Sequence, residues 1–69
     1  MKIGMMWMDS SNLPLSVKVR AAVSYYQNKY GAVPNVIICN PKDFVECNEF
    51  AISMSRSIRK NHLWIGVKE

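Results

Sequence analysis

Two short polar segments are the first places in this sequence where chemistry is possible. Asp9-Ser10-Ser11-Asn12 follows an apolar run at residues 2–8, and Asn40-Pro41-Lys42-Asp43 follows the run Val36-Ile37-Ile38-Cys39. Ligands collect at the carboxyl ends of parallel strands, so both segments are expected at one edge of a sheet. A helix that begins there adds free backbone N–H groups, which favour an anion. The predicted anion-binding residues are Ser10, Ser11, Asn12 and Lys42, whose competing roles are helix capping and turn formation.

Asp9 and Asp43 offer a second chemistry, because carboxylates from two loops can hold a hard cation such as Mg²⁺. A small metal- or anion-dependent enzyme near these two residues is therefore one alternative, and simple turn formation competes with it. A multi-histidine zinc site is excluded within one chain because His62 is the only histidine, and Cys39, Cys47 and His62 lack the spacing of zinc ligands. No metal site and no cofactor is predicted.

Cys39 would need a nearby base and a lowered thiol pKa to act as a nucleophile. Its position after Val36-Ile37-Ile38 predicts a buried, inert thiol instead. The sequence has no phosphate-binding glycine loop, no G-x-S-x-G turn and no H-E-x-x-H motif. No catalytic residue is therefore assigned, and a non-enzymatic protein is favoured.

The most basic stretch contains Arg56, Arg59 and Lys60 and is followed by Trp64. Cations beside an aromatic ring can hold phosphates and stack a base, so these four residues are the predicted nucleic-acid-binding set. The three cations are expected on a hairpin turn over residues 56–62, and Trp64 on the strand that follows it. A solvated turn whose charges protect a sheet edge is the competing reading. The net charge of +4 and the isoelectric point near 9.3 permit either role.

The elements that carry these residues can be predicted from hydrophobic periodicity. Residues 2–8 are apolar on both faces, which predicts an interior strand. Spacings of three and four predict a helix that begins near Pro14, with Asn12 as its N-cap, and ends near Tyr30 before Gly31. Its apolar positions are Leu15, Val19, Ala22, Val23, Tyr26 and Tyr30.

Three further strands are predicted at residues 35–39, 50–54 and 62–68. Phe50, Ile52 and Met54 should share one face of the third strand, and Leu63, Ile65 and Val67 one face of the last, with Trp64 opposite. Gly4 and Gly66 are expected where the helix approaches the sheet closely. The fold class is thus α+β, a βαβββ arrangement in which one helix lies on one face of a four-stranded mixed sheet. A chain of 69 residues allows a single domain, 1–69.

Three motifs carry a resemblance to a group of short bacterial proteins. They are Met6-Trp7-Met8-Asp9 at the start, Tyr26 with Lys29-Tyr30-Gly31 and Pro34 in the middle, and His62-Leu63-Trp64-Ile65-Gly66-Val67 at the end. The group shares a Trp-Phe-Asp-like opening, a Lys-Tyr/Phe-Gly-x-x-Pro helix exit and a His-Phe-Trp-Ile-Gly-like close. Its members have no assigned activity, so the resemblance implies a complete bacterial chain but no mechanism.

One helix cannot cover both faces of four strands, and 49% of the residues are hydrophobic. Self-association of the open face follows as the simplest remedy, so the leading hypothesis is a small homodimeric interaction protein. A nucleic-acid-binding module is the first alternative. Asp9 interrupts the first apolar run too early for a signal or a membrane span, and two unpaired cysteines fit a reducing compartment. A cytoplasmic protein without membrane contact is expected.

Overall fold

The protein has one helix and a four-stranded mixed sheet, so the predicted α+β architecture is confirmed. A computed structural model describes residues 2–68, with side chains from residue 4 onward. The elements in chain order are β1 (Lys2–Met8), α1 (Leu15–Tyr30), β2 (Val36–Cys39), β3 (Ser53–Met54) and β4 (His62–Lys68). No helix in residues 2–68 is long and apolar enough to cross a membrane.

The strand order is β1-β4-β2-β3, with β4 antiparallel to both of its neighbours and β3 parallel to β2. The prediction of β1 as an interior strand is therefore wrong, because β1 pairs only with β4 and lies at an edge of the described sheet. Its apolar residues on both faces have another cause. Trp7 packs against the core on one face, while Met6 and Met8 are exposed on the other.

The helix packs on one face of the sheet through the positions that periodicity predicted. Its residues Leu15, Val19, Ala22 and Tyr26 are buried, and they meet the sheet residues Ile37, Cys39, Leu63 and Ile65. Alternation along β4 places Trp64 on the opposite face, also as predicted. This face, which the helix does not cover, is called the uncovered face below.

The two ends of α1 differ in how well they were predicted. Gly31 has φ 71°, and its N–H donates to the Gln27 carbonyl at 2.8 Å, so the helix ends where expected. The predicted N-cap at Asn12 is wrong. Pro14 occupies the cap position without a side-chain hydrogen bond, and its carbonyl accepts the N–H groups of Val17 and Lys18 at 3.1 and 3.2 Å.

Residues 55–61 do not form the predicted hairpin turn. Since β3 and β4 pair with opposite sides of β2, this segment must cross the end of β2 instead. It does so through two turns, in which the Ile58 N–H donates to the Ser55 carbonyl and the His62 N–H to the Arg59 carbonyl. Asn40 Nδ2 fixes the crossing by donating to the Ile58 carbonyl at 2.8 Å, and Ile58 is buried.

The predicted strand at residues 50–54 is reduced to Ser53–Met54. Phe50 and Ile52 pack against the core from an irregular segment, which accounts for their apolar character without a strand. Met54, predicted to share their covered face, is 53% exposed.

Candidate functional site

A cleft of about 200 Å³ opens where β1 ends and where α1 and β4 begin. Asp9 and Asp43 both line it, so the polar segments after β1 and β2 do meet, as expected. Leu15 and Leu63 contribute buried apolar surface. The complete lining is Asp9, Leu13, Pro14, Leu15, Lys18, Asp43, Val45, Asn61, His62 and Leu63.

The backbone of Asn61 joins the two carboxylate-bearing residues. Its carbonyl accepts the Asp9 N–H at 2.8 Å, and its own N–H donates to Asp43 Oδ2 at 2.6 Å. Asn61 has φ 65°, a left-handed conformation that asparagine adopts more readily than most residues. The cleft therefore depends on the conformation of the segment that crosses the end of β2.

The Asp9 carboxylate is held in its ionised form. Hydrogen bonds from the Ser11 side chain and from the Ser11 N–H, the latter 2.9 Å from Asp9 Oδ1, lower the pKa of this carboxyl, and the Lys18 charge lowers it further. Lys18 Nζ donates to the Asp9 carbonyl at 2.9 Å, and no carboxylate in the described residues forms an ion pair with it. The cleft thus brings together two carboxyl side chains and one amine.

His62 also lines this cleft. Its Nδ1 lies 2.9 Å from the Lys60 carbonyl, and because a carbonyl only accepts, Nδ1 must carry the proton. In the neutral ring Nε2 then keeps its lone pair. In the described part of the chain, no three His, Cys, Asp or Glu side chains are grouped closely enough to hold a metal ion.

The four predicted anion-binding residues lie outside this cleft lining. Ser10, Ser11 and Asn12 are exposed in the segment before α1, where the Asp9 carboxylate occupies the Ser11 N–H that an anion would use. Lys42 is exposed, and its N–H donates to Asn40 Oδ1 at 2.8 Å. Ser11 and Lys42 thus make hydrogen bonds that are typical of turns.

The predicted nucleic-acid-binding residues are divided between two places. Arg56, Arg59 and Lys60 are exposed on the crossing segment, and none of them forms an ion pair within residues 2–68. Trp64 is half-buried on the uncovered face of β4. The three cations are therefore accessible to a phosphate backbone.

The position of the Trp64 ring explains why residue 4 is a glycine. An ideal Cβ at residue 4 would lie 2.2 Å from Trp64 Cζ2, so the indole ring occupies the space above this glycine. The close approach comes from the uncovered face, and the expectation that the helix approaches Gly4 is wrong.

Around this ring the uncovered face is apolar. The strand register places Trp64 between Met6 on β1 and Ile38 on β2. Met6 is 51% exposed and Met8 is 60% exposed, whereas Ile38 is half-buried. Nothing in residues 4–68 packs over these methionines as the helix packs over the other face.

The outer edge of β1 presents free backbone groups. The Asp9 N–H donates to the Asn61 carbonyl, and strand hydrogen bonds alternate, so the backbone groups of Met5 and Trp7 face β4. The N–H and carbonyl groups of Gly4, Met6 and Met8 then point away from the sheet. Sequence reasoning did not identify this edge because it placed β1 in the interior.

Lys18 and Asn61 are the cleft residues that sequence reasoning missed. The sequence could have indicated Lys18 as a cleft residue, because Lys18 lies in the first turn of the helix that follows the Asp9 segment. No protein-family model, no curated protein and no solved structure matches this chain.

Proposed function

We propose that the chain is a small, non-enzymatic interaction protein that forms a homodimer, using the side of the sheet bordered by β1. The observation that carries the proposal is the apolar character of the uncovered face at that border. Met6 and Met8 are more than half exposed there, beside Trp64. Scattered exposed apolar residues are ordinary, but a contiguous set on a flat strand surface marks a contact site.

Self-association along β1 is favoured because it removes the border of this surface from water. Burying a whole methionine side chain stabilises by about 1.5–3 kcal/mol, so covering the exposed half of Met6 or Met8 contributes roughly 1 kcal/mol. In a two-fold dimer the same residue is buried in both copies, so each contribution occurs twice. This stabilisation at most offsets the cost of association of about 4–15 kcal/mol, so a dimer at micromolar concentration requires further contacts beside these two methionines.

The proposal is tested by size-exclusion chromatography with light scattering at micromolar concentration. The expected mass is about twice the chain mass of 7.9 kDa. Met6→Lys should give the monomer, because a charge would be placed in the contact. Met54→Lys is the matched control: Met54 is 53% exposed, against 51% for Met6, but lies on the opposite edge strand. A monomeric wild-type protein would refute the proposal.

Nucleic-acid binding is the second candidate, favoured by three exposed cations that form no ion pair with any side chain in residues 4–68. If Arg56, Arg59 and Lys60 contact phosphates, the log–log slope of affinity against salt should be about −2 to −3, at roughly −0.7 to −0.9 per contact. Changing all three to serine should remove most of the binding without unfolding the domain. Lys29→Ser, which removes an exposed cation at the end of α1, is the control. No binding to DNA or RNA at about 50 mM salt would exclude this candidate.

A further inference from the structure

We propose that the two copies join by antiparallel pairing of β1 with β1 of the partner, so that both sheets become one continuous sheet. This inference rests on the proposed homodimer and specifies how the copies contact each other. Its starting point is the outward row of N–H and carbonyl groups on β1. An identical strand, turned by a two-fold axis, presents the same groups in complementary positions.

The edge of β1 lacks the features that usually prevent strand pairing. Exposed edges are normally short or carry proline, a bulge or charged side chains. β1 spans Lys2–Met8 without proline, pairs with β4 in unbroken register, and has no charged residue after Lys2. The opposite edge, β3, is only two residues long. The sheet thus has one edge suited to pairing and one that is not.

The small area of the uncovered face argues against face-to-face stacking as the sole contact. Seven residues at about 3.3 Å and three strand spacings of about 4.8 Å give the uncovered face a projected area on the order of 300 Å². A standard interface buries about 800 Å² on each partner. The face alone is too small for a stable dimer, whereas edge pairing forms backbone hydrogen bonds and brings the Met6 border of the face against the partner.

The pairing has a definite register. Only residues of the outward-facing set can hydrogen bond across the interface, and pairing over the full length of β1 places Gly4 opposite the partner's Met6. Met5 then lies opposite the partner's Met5 in a non-hydrogen-bonded pair, with Cα atoms about 4.5 Å apart. Met6 is brought over the partner's Gly4, beside the partner's Trp64, where sulfur meets an aromatic ring.

Disulfide trapping tests this register. Met5→Cys in a Cys47→Ser background should form a covalent dimer under mild oxidation, because the two Cα atoms lie within disulfide range. Met8→Cys is the control. Its more exposed thiol would lie about 20 Å from its copy, six residues along the strand, and should not crosslink.

Amide hydrogen exchange provides a measurement that does not alter Met5. In the wild-type dimer the amides of Gly4, Met6 and Met8 should be protected at least tenfold relative to the Met6→Lys variant. This readout decides the question if Met5→Cys does not fold. A dimeric mass without crosslinking at residue 5, and with fast exchange at these amides, would overturn edge pairing and leave the homodimer standing. A monomeric mass would overturn both.

Discussion

Gly4→Ala provides a sharp test of the contact between β1 and the Trp64 ring. The added Cβ would lie 2.2, 2.7 and 2.8 Å from Trp64 Cζ2, Cη2 and Cε2. All three separations are well below van der Waals contact, so the indole must leave its place over β1. Forcing extra atoms into a packed site costs about 1–3 kcal/mol.

The effect of Gly4→Ala on stability should have the opposite sign when the indole is absent. Glycine inside a strand is less stable than alanine by roughly 0.5–1 kcal/mol, because it loses more backbone freedom on folding. In a Trp64→Ala background, Gly4→Ala should therefore stabilise by about that amount. The coupling between the two positions then amounts to roughly 1.5–4 kcal/mol.

The measurement is urea unfolding of the wild type, the two single variants and the double variant, followed by far-ultraviolet circular dichroism. Protein concentration must be equal in all four, since the stability of a dimer depends on it. In the wild-type background a loss of 1–3 kcal/mol corresponds to a fall in Tm of roughly 4–24 °C for a chain of this size. An equal effect of Gly4→Ala in both backgrounds would refute the steric argument.

Two further predictions follow from titratable groups. Burial, and secondarily the Asp43 carboxylate, raise the pKa of the Cys39 thiol. Cys39 should therefore react with a thiol reagent at neutral pH at least tenfold more slowly than the half-buried Cys47. Mass spectrometry of the labelled protein checks this, and rapid labelling of Cys39 would contradict it. The pKa of Asp9 should lie below 3.8 in an NMR titration and rise towards that value in Ser11→Ala, because the serine hydroxyl is the largest cause of the shift. Since folding lowers the pKa of Asp9, its carboxylate stabilises the folded protein above pH 3.8, and this contribution is lost as the pH falls through the pKa of the folded state. An unchanged pKa in Ser11→Ala would show that the hydroxyl has no role.

Local patterns predicted the elements well because the energetics that form them are local. The spacing of Leu15, Val19, Ala22 and Tyr26 maps directly onto one helical face. Gly31 ends the helix because glycine adopts the left-handed conformation with little steric cost. Strand order has no such local signature. A strand with apolar residues on both sides has the same sequence pattern whether it is an interior strand or, like β1, an edge strand with one uncovered face.

The candidate sites were predictable to the same limited extent. Asp9 and Asp43 could be placed together because strand, helix and strand topology brings the carboxyl ends of β1 and β2 to one edge. Asn61 could not be predicted as their link, since its position depends on how residues 55–61 cross the end of β2. The hairpin was expected because consecutive strands usually pair, and here a long-range pairing of β2 with β4 prevailed.

The central position of β4 has a consequence for the chain during its synthesis. Of the pairings in the sheet, only the two-residue contact between β2 and β3 can form before residues 62–68 leave the ribosome. Until then β1 has no strand partner in its own chain, and the apolar side of α1 lacks Leu63 and Ile65. Translation adds about 5–20 residues per second, so this interval lasts seconds. Before then the nascent chain is expected to carry only local helical structure and the short β2–β3 contact, and the rest of the sheet assembles once β4 has been made.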